Sequence, residues 1–203
     1  MTTYQLQKNQ VETFTQRCAL QVLKIIGWKV NFRPMPGPLG VIIVYPHTSN
    51  WDFMIGILAK LAIGFPFHFI AKSSLFEGVT GATIGRIVRA LGGEPVERGA
   101  STGAISRLAD KINRSDWYWM AIAPEGTRSL RPYWRSGFYH IALASKVPLG
   151  CAYFDFARKE ISLVDYLELT GDSNKDLQKI REVYAGVRGC RPALAGPIRF
   201  RED

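Results

Sequence analysis

Short apolar runs alternate with segments of helical spacing along most of this chain of 203 residues. The runs are rich in β-branched and aromatic residues, and the segments between them repeat apolar positions every three or four residues. The pattern predicts strands at residues 40–45, 67–72, 94–97, 117–123, 147–156 and 159–169. It predicts helices that end near Lys60, begin at Ser74 with a capping pair of Ser74 and Glu77, and span 101–114, 136–146 and 173–186. This alternation is typical of an α/β protein: a single domain with a mostly parallel, mixed sheet flanked by helices, whose strand 159–169 is antiparallel.

Residues 4–29 carry the pattern of one amphipathic helix ahead of that domain. Five apolar residues at helical spacing form a line that we call the N-terminal stripe: Val11, Phe14, Cys18, Val22 and Ile25. Two interpretations stay open, because the helix can pack on its own domain or lie in the interface of an anionic bilayer. Proline and glycine at 33–40 end the helix, so residues 1–35 form a helix and linker, and residues 36–203 form the domain.

Composition limits the classes of partner. Lys and Arg exceed Asp and Glu by 26 to 17, and the net charge of +9 indicates an anionic partner such as nucleic acid, anionic lipid or an acidic carrier. The basic residues are dispersed and form no nucleic-acid-binding motif, so we expect no nucleic acid. No apolar run reaches the roughly 18 residues of a membrane span, and no signal-peptide pattern opens the chain. Cys18, Cys151 and Cys190 show no C-x-x-C spacing, which argues for a reducing compartment and against structural zinc.

The first candidate for chemistry lies where the apolar run 41–44 ends. His47 comes just beyond that run, and Asp52 falls in the first turn of the next helix. A carboxylate that accepts a hydrogen bond from one ring nitrogen fixes the tautomer and leaves the other nitrogen free as a base. Ser49 lacks the G-x-S-x-G turn of a nucleophile, so the pair favours direct activation of a substrate hydroxyl. The alternative is that both residues only cap the helix and satisfy the turn.

A second candidate, Glu125-Gly126-Thr127-Arg128, follows the apolar run 117–123. It should therefore lie along the same edge of the sheet as His47. Glycine allows the backbone to approach a ligand, and the guanidinium of Arg128 offers a planar fork for phosphate. The alternative is a solvated basic loop, because Arg131 and Arg135 follow closely.

Together these stretches resemble the glycerolipid acyltransferases, a family that includes the 1-acyl-sn-glycerol-3-phosphate and lysophospholipid acyltransferases. His47 to Asp52 matches the family's H-x4-D motif, and 124–129 matches its E-G-T-R motif. Residues 85–99 are similar to the second motif, which ends here in Arg98, and 147–150 to the fourth. Two departures occur: Glu97 stands where aspartate is common, and Cys151-Ala152 replace a usual proline.

The resemblance implies an O-acyltransferase domain at residues 36–203. His47 would deprotonate an acceptor hydroxyl, which attacks the thioester of acyl-CoA or acyl carrier protein, and Asp52 would orient the imidazole. The residues implied to bind the glycerol and phosphate of the acceptor are Glu125, Gly126, Thr127 and Arg128, with Lys72 and Arg98 as further phosphate ligands. No metal or other cofactor is expected, since His68 and His140 lack ligand spacing. The N-terminal helix would hold the enzyme peripherally on the cytoplasmic face of an anionic membrane.

Several alternatives remain open at this point. The acceptor implied first is lysophosphatidic acid, but glycerol 3-phosphate and lyso-ornithine lipid are served by similar motifs. A phospholipid hydrolase could use the same His-Asp base on water. A lipid-binding protein without activity is disfavoured, because binding alone does not require His47 and Asp52 together.

Two further segments are predicted to be structural. The aromatic residues 117–119 fit a sheet core better than a lipid slot. The glycine-rich segment 78–85 lacks the G-K-[ST] ending of a phosphate loop, so it predicts close helix packing.

Overall fold

The computed structural model describes residues 11–78, 81–96 and 103–201. The strands in this part of the chain are β1 (Lys29–Phe32), β2 (Leu39–Val44), β3 (His68–Lys72), β4 (Gly93–Val96), β5 (Tyr118–Ile122), β6 (Leu149–Asp155) and β7 (Glu160–Leu167). The helices are α1 (Phe14–Ile25), α2 (Asn50–Ile63), α3 (Arg86–Ala90), α4 (Ala104–Asn113), α5 (Gly137–Ser145) and α6 (Ser173–Val183). Short turns of 3₁₀ and π helix lie at Ser73–Leu75, Gly81–Gly85 and Pro192–Leu194.

The described strands form one mixed sheet in the order β1-β7-β6-β2-β5-β3-β4. Strands β6, β2, β5, β3 and β4 are parallel, whereas β7 is antiparallel to β6, and β1 is parallel to β7. Central β2 pairs with β5 through Val41 opposite Met120, so the carboxyl ends of these two strands lie side by side. The predicted α/β domain with a mostly parallel mixed sheet, and the antiparallel strand β7, are confirmed.

Helices cover both faces of the sheet. On one face, Val41 and Ile43 of β2 pack with buried residues of α4, α5 and α6. On the other face, Phe154 and Ile161 pack with α1 and α2. Alternation along each strand sends successive side chains to opposite faces, and each fully buried aliphatic side chain stabilises the fold by about 1.5–3 kcal/mol.

One side of helix α1 is buried against the domain, and the other side is exposed. It begins with a capping box of Thr13 and Gln16 and packs against α2 through a buried inner side: Ala19, Leu20 and Leu23. Of the N-terminal stripe, Val11 is buried, but Phe14 is 82% exposed and Ile25 is 74% exposed. The helix therefore packs on its domain with one side and leaves most of the stripe outside. Residues 4–10 of the predicted helix lie outside the described residues.

The predicted continuation of this helix to residue 29 is wrong. The helix ends at Ile25, Gly27 turns the chain with a φ of +82°, and β1 then pairs with β7. Trp28 lies three residues after Ile25 and Val30 four after Ile26, which is why the pattern resembles a longer helix, but both are buried at the edge of the sheet. The sheet therefore begins upstream of residue 36, the boundary expected from the sequence.

The predicted helix start at Ser74 is also wrong, because a 3₁₀ turn spans Ser73–Leu75. Gly81 and Gly85 pack against the backbone of this turn and of Phe76, the residue that follows it. A Cβ at Gly85 would lie 2.6 Å from the carbonyl oxygen of Leu75, and a Cβ at Gly81 would overlap that of Phe76. The predicted close packing of this glycine-rich segment is thus confirmed.

Residues 117–119 serve the sheet core, as predicted. Tyr118 and Trp119 are buried, and Trp117 is half-buried. The indole Nε1 of Trp119 donates to the carbonyl of Gly37 at 3.0 Å, and its ring occupies the space that a side chain at Gly40 would need.

Candidate active site

His47 lies in the loop between β2 and α2, where the backbone holds a carboxylate in place. Ser49 is the N-cap of α2, and Asp52 is the third residue of the helix. One oxygen of Asp52, Oδ2, accepts the backbone N–H groups of Thr48 (2.7 Å) and Ser49 (2.8 Å). Asp52 therefore caps α2, and the same hydrogen bonds hold its carboxylate next to the imidazole.

His47 and Asp52 form the pair that the sequence predicted. The His47 Nδ1 lies 3.2 Å from Asp52 Oδ2, and the Asp52 side chain is fully buried while that of His47 is 20% exposed. An Nδ1 that donates to the carboxylate leaves Nε2 as the nitrogen that can accept a proton from a ligand. Such an arrangement can act as a general base with an oriented tautomer.

Glu125 follows β5 and reaches the rear of the His47 loop. Its Oε2 accepts the backbone N–H of His47 at 2.7 Å, and its Oε1 accepts that of Gly196 at 2.9 Å. The residue is 2% exposed; burial raises the pKa of the Glu125 carboxyl, while the two N–H groups and the His47 ring act in the opposite direction. Both carboxylate oxygens thus contact the protein backbone, and acceptor binding by Glu125 stays a prediction.

Gly126, Thr127 and Arg128 belong to the same loop; Gly126 and Thr127 are half-buried. Gly126 has a φ of +65°, which favours glycine, and the side chain of Arg135 packs over it: a Cβ there would lie 2.9 Å from Arg135 Nε. Thr127 Oγ1 accepts the backbone N–H of Ser129 at 3.3 Å, and Arg128 is exposed.

A cavity of about 1330 Å³ joins most of these residues. The predicted site residues in its lining are His47, Asp52, Lys72, Gly126, Thr127 and Arg128. Its apolar lining includes Ile42, Val44, Phe53, Phe69 and Phe154. The cavity is larger than the 300–1,000 Å³ of most small-ligand sites, and it combines cationic groups with long apolar walls. Such a cavity suits an amphiphilic ligand with an anionic head.

The structure brings most, but not all, of the predicted site residues together. His47, Asp52, Lys72 and the loop 126–128 line one cavity, whereas Glu125 lies behind it. Arg98 is outside the described residues. Arg107 and Arg135 also line the cavity, although the sequence assigned no role to either. Their spacing gave no signal, because only the packing of α4 and of the loop before α5 brings them to this edge.

The other two histidines lie where the sequence placed them, on a strand and on a helix. His68 is on β3, with its Nδ1 3.0 Å from Glu94 Oε1, and His140 is exposed on α5. Across the described ranges, no three His, Cys, Asp or Glu side chains converge on a possible metal position. Nor does the described part of the chain contain a helix with the length and apolar character to traverse a bilayer.

Comparison with known proteins identifies the family. The model of the Acyltransferase family matches residues 30–153, more than half of the chain. No curated protein matches it. The fold is similar to that of the crystal structure of the 1-acyl-sn-glycerophosphate (LPA) acyltransferase PlsC from Thermotoga maritima, with a TM-score of 0.55 and 17% identity, over 83% of this chain and 74% of that chain. On the strength of the family match, this chain belongs to the acyltransferase family.

Proposed function

We propose that the protein transfers a fatty acyl group from a thioester donor to a hydroxyl of a lysophospholipid, in phospholipid biosynthesis. The donor is acyl-CoA or acyl carrier protein, and the acceptor that we expect first is 1-acyl-sn-glycerol 3-phosphate. The observation that carries this proposal is the His47–Asp52 pair at 3.2 Å, on the wall of a cavity that also exposes Arg128. PlsC, whose fold is similar, is named for the same acyl transfer.

The chemistry follows from the position of the free imidazole nitrogen. His47 Nε2 accepts the proton of the acceptor hydroxyl as its oxygen attacks the thioester carbonyl. The new C–O bond forms, the C–S bond breaks, and the departing sulfur takes the proton from the imidazolium. General-base assistance of this kind contributes ~10²–10⁴ in rate. Asp52, buried and held by two backbone N–H groups, stabilises the imidazolium between these steps.

The charges around the cavity support a phosphorylated acceptor. Lys72 and Arg128 both line it and are both exposed, so their charged groups are accessible to a ligand. A guanidinium binds phosphate through two parallel hydrogen bonds, whereas an ammonium acts as a point charge. The apolar walls then accommodate the acyl chains.

The N-terminal stripe supports peripheral binding to the cytoplasmic face of an anionic membrane. Phe14, Cys18, Val22 and Ile25 are exposed on α1, on the side that does not pack against α2. Burying apolar area contributes ~25 cal/mol per Å², and each basic residue near an anionic surface contributes about 1 kcal/mol. Arg17 and Lys24, also exposed on α1, supply such charges.

The proposed reaction is tested with purified protein, acyl-CoA or acyl carrier protein, and a panel of acceptors. The panel comprises 1-acyl-sn-glycerol 3-phosphate, glycerol 3-phosphate, lyso-ornithine lipid and an unphosphorylated monoacylglycerol. Thiol release and lipid products are measured together. We expect thiol release to require an acceptor and to equal the ester formed. Free fatty acid released from phospholipid without an acceptor would instead indicate the hydrolase.

Membrane binding is tested separately, by sedimentation with vesicles of anionic or zwitterionic lipid. Deletion of residues 1–30 would also remove the buried inner side of α1, so point substitutions are sharper. Phe14→Glu with Ile25→Glu should release the protein from anionic vesicles, whereas Gln21→Glu, at an exposed polar position of the same helix, is the control. Full sedimentation of the double variant would contradict docking through the stripe.

A further inference from the structure

The chain after α6 crosses the rear of the active-site loops. We call residues 188–201 the C-terminal strap; they lie beyond residues 30–153, the part that the family model matches. The backbone N–H of Arg191 donates to Thr48 Oγ1 at 3.1 Å, next to His47. The N–H of Gly196 donates to Glu125 at 2.9 Å, and the hydroxyl of Tyr45 donates to the Gly196 carbonyl at 3.0 Å.

Further contacts hold the strap in place after Gly196, at Ile198 and Arg199. The N–H of Trp134 donates to the carbonyl of Arg199 at 2.7 Å, and Arg199 Nε donates to the Pro132 carbonyl at 2.8 Å. Arg181 of α6 donates through Nε to the carbonyl of Ile198 at 2.9 Å. The strap is thus fixed both to the loop before α5 and to α6.

Glu125 connects the strap to the catalytic loop. Its carboxylate accepts one N–H from each, from Gly196 and from His47, and it is almost fully buried. A buried carboxylate that loses such a donor cannot replace it with bulk water, so the position of the strap controls the position of the carboxylate. The carboxylate in turn holds the backbone of the residue that carries the proposed base.

We propose that the C-terminal strap is a positioning element of the active site, in which Gly196 fixes Glu125 and Glu125 fixes the backbone of His47. The proposal rests on the proposed function for the reaction that is measured, but its contacts are independent of it. Misplacement of a catalytic group by about 1 Å can cost ~10²-fold in rate. Gly196 and Tyr45 are therefore positioning residues that act through Glu125 and need not touch a substrate.

Gly196 offers a substitution that moves the strap without removing a functional group. A Cβ at this position would lie 2.6 Å from the backbone carbonyl oxygen of Arg131, which cannot swing aside as a side chain can. Gly196→Ala must therefore displace the strap. Gly37→Ala is the matched control, because a Cβ at Gly37 would meet no atom within 4 Å.

We expect Gly196→Ala to lower kcat about 10- to 100-fold while KM for donor and acceptor changes less than about twofold. Gly37→Ala should keep both constants. In a Glu125→Gln background the Gly196→Ala substitution should add little further loss, since both act on one contact. Should Gly196→Ala not fold, Tyr45→Phe removes the hydrogen bond to the Gly196 carbonyl and should lower kcat in the same way, to a smaller extent.

An NMR measurement separates this proposal from the proposed function. The His47 amide proton, in a hydrogen bond to a carboxylate, should resonate far downfield in the unaltered protein. It should move upfield in Gly196→Ala and not in Gly37→Ala. An absence of acyl transfer in the unaltered protein would overturn the proposed function, and the amide shift would still test the strap. An unchanged chemical shift of the His47 amide with unchanged kcat in Gly196→Ala would overturn the positioning role of the strap. A rise confined to the acceptor KM would also overturn it.

Discussion

Two histidine–carboxylate pairs in this protein have nearly the same length but differ in what surrounds them. His47 Nδ1 lies 3.2 Å from Asp52, and His68 Nδ1 lies 3.0 Å from Glu94. Asp52 is fully buried and bound by two backbone N–H groups at the start of α2. The side chain of Glu94 is 22% exposed and is shared with other donors.

The surroundings of His68 do not favour a base. Lys111 Nζ lies 2.6 Å from Glu94, and the hydroxyl of Tyr118 donates to the same oxygen at 2.9 Å, so the carboxylate is not dedicated to the imidazole. Burial, together with Lys111 and Lys60, lowers the pKa of His68, against the opposing effect of Glu94. His68 also begins its strand, whereas His47 follows the end of one. A short distance alone therefore does not identify a catalytic pair.

The largest expected effect separates the two histidines. His47→Ala should lower acyl transfer by ~10²–10⁴ or more, because it removes the proposed general base. His68→Ala should stay within about twofold of the unaltered protein. Steady-state thiol release with acceptor measures both, and circular dichroism checks that both variants fold. Comparable losses of activity in the two variants would contradict the assignment of His47, and not His68, as the base.

The carboxylates provide the next test. Asp52→Asn should lower kcat by about 10²-fold or more, because an amide cannot stabilise the imidazolium in the same way. It should also lower the free energy of unfolding by about 1–3 kcal/mol, since the buried oxygen accepts two N–H groups. Glu94→Gln should leave kcat within about twofold. Urea unfolding and kinetics are measured together, and an Asp52→Asn protein with normal kcat would argue that Asp52 only caps α2.

Substitution of Arg128, a cation in the cavity lining, should have a smaller effect on activity. Arg128→Lys should lower kcat/KM for a phosphorylated acceptor about tenfold, because the ammonium cannot form two parallel hydrogen bonds. The loss should shrink for an acceptor without phosphate. Arg114→Lys, at an exposed arginine outside the cavity lining, is the control and should have no effect on either acceptor. Equal losses on both acceptors would place Arg128 in a structural or donor-binding role.

The smallest expected effect is on stability against pH. Because the pKa of His68 is lowered on folding, the unfolded chain binds more protons than the folded one just below the ordinary value of about 6.5. The contribution of His68 to stability is therefore complete above that pH and is lost as the pH falls through the window. His68→Gln should flatten this part of a pH series of thermal unfolding. Parallel curves for the two proteins would contradict the lowered pKa.

Much of the fold was predictable because local pattern and tertiary position agree. Strand β2 is a continuous apolar run bounded by Pro38 and Pro46, and it is the centre of the sheet. Strand β1 was missed because its apolar residues continue the spacing of the helix before it. The helix start expected at Ser74 was wrong because a 3₁₀ turn occupies Ser73–Leu75, and Gly85 packs against the backbone of that turn.

The site was predictable where its residues belong to one local element, because their spacing in sequence then fixes their distance in space. His47 and Asp52 are joined by one helix cap, so their spacing in sequence is enough to indicate contact. The edge of the sheet where Glu125 lies was predicted, but its hydrogen bonds were not, because its partners His47 and Gly196 are 78 and 71 residues away in sequence. No local pattern encodes a hydrogen bond between such distant backbone groups.

The direct pairing of β2 with β5 has a consequence for divergence within the family. His47 and Glu125 meet because their strands are neighbours, with Ile43 opposite Ile122, and not because of the 78-residue separation between them. For a flexible connection, a doubling of length costs only about 0.6 kcal/mol in closure entropy. Exposed loops between these elements can therefore change in length within the family while the distance between His47 and Glu125 stays the same, as long as β2 and β5 remain paired.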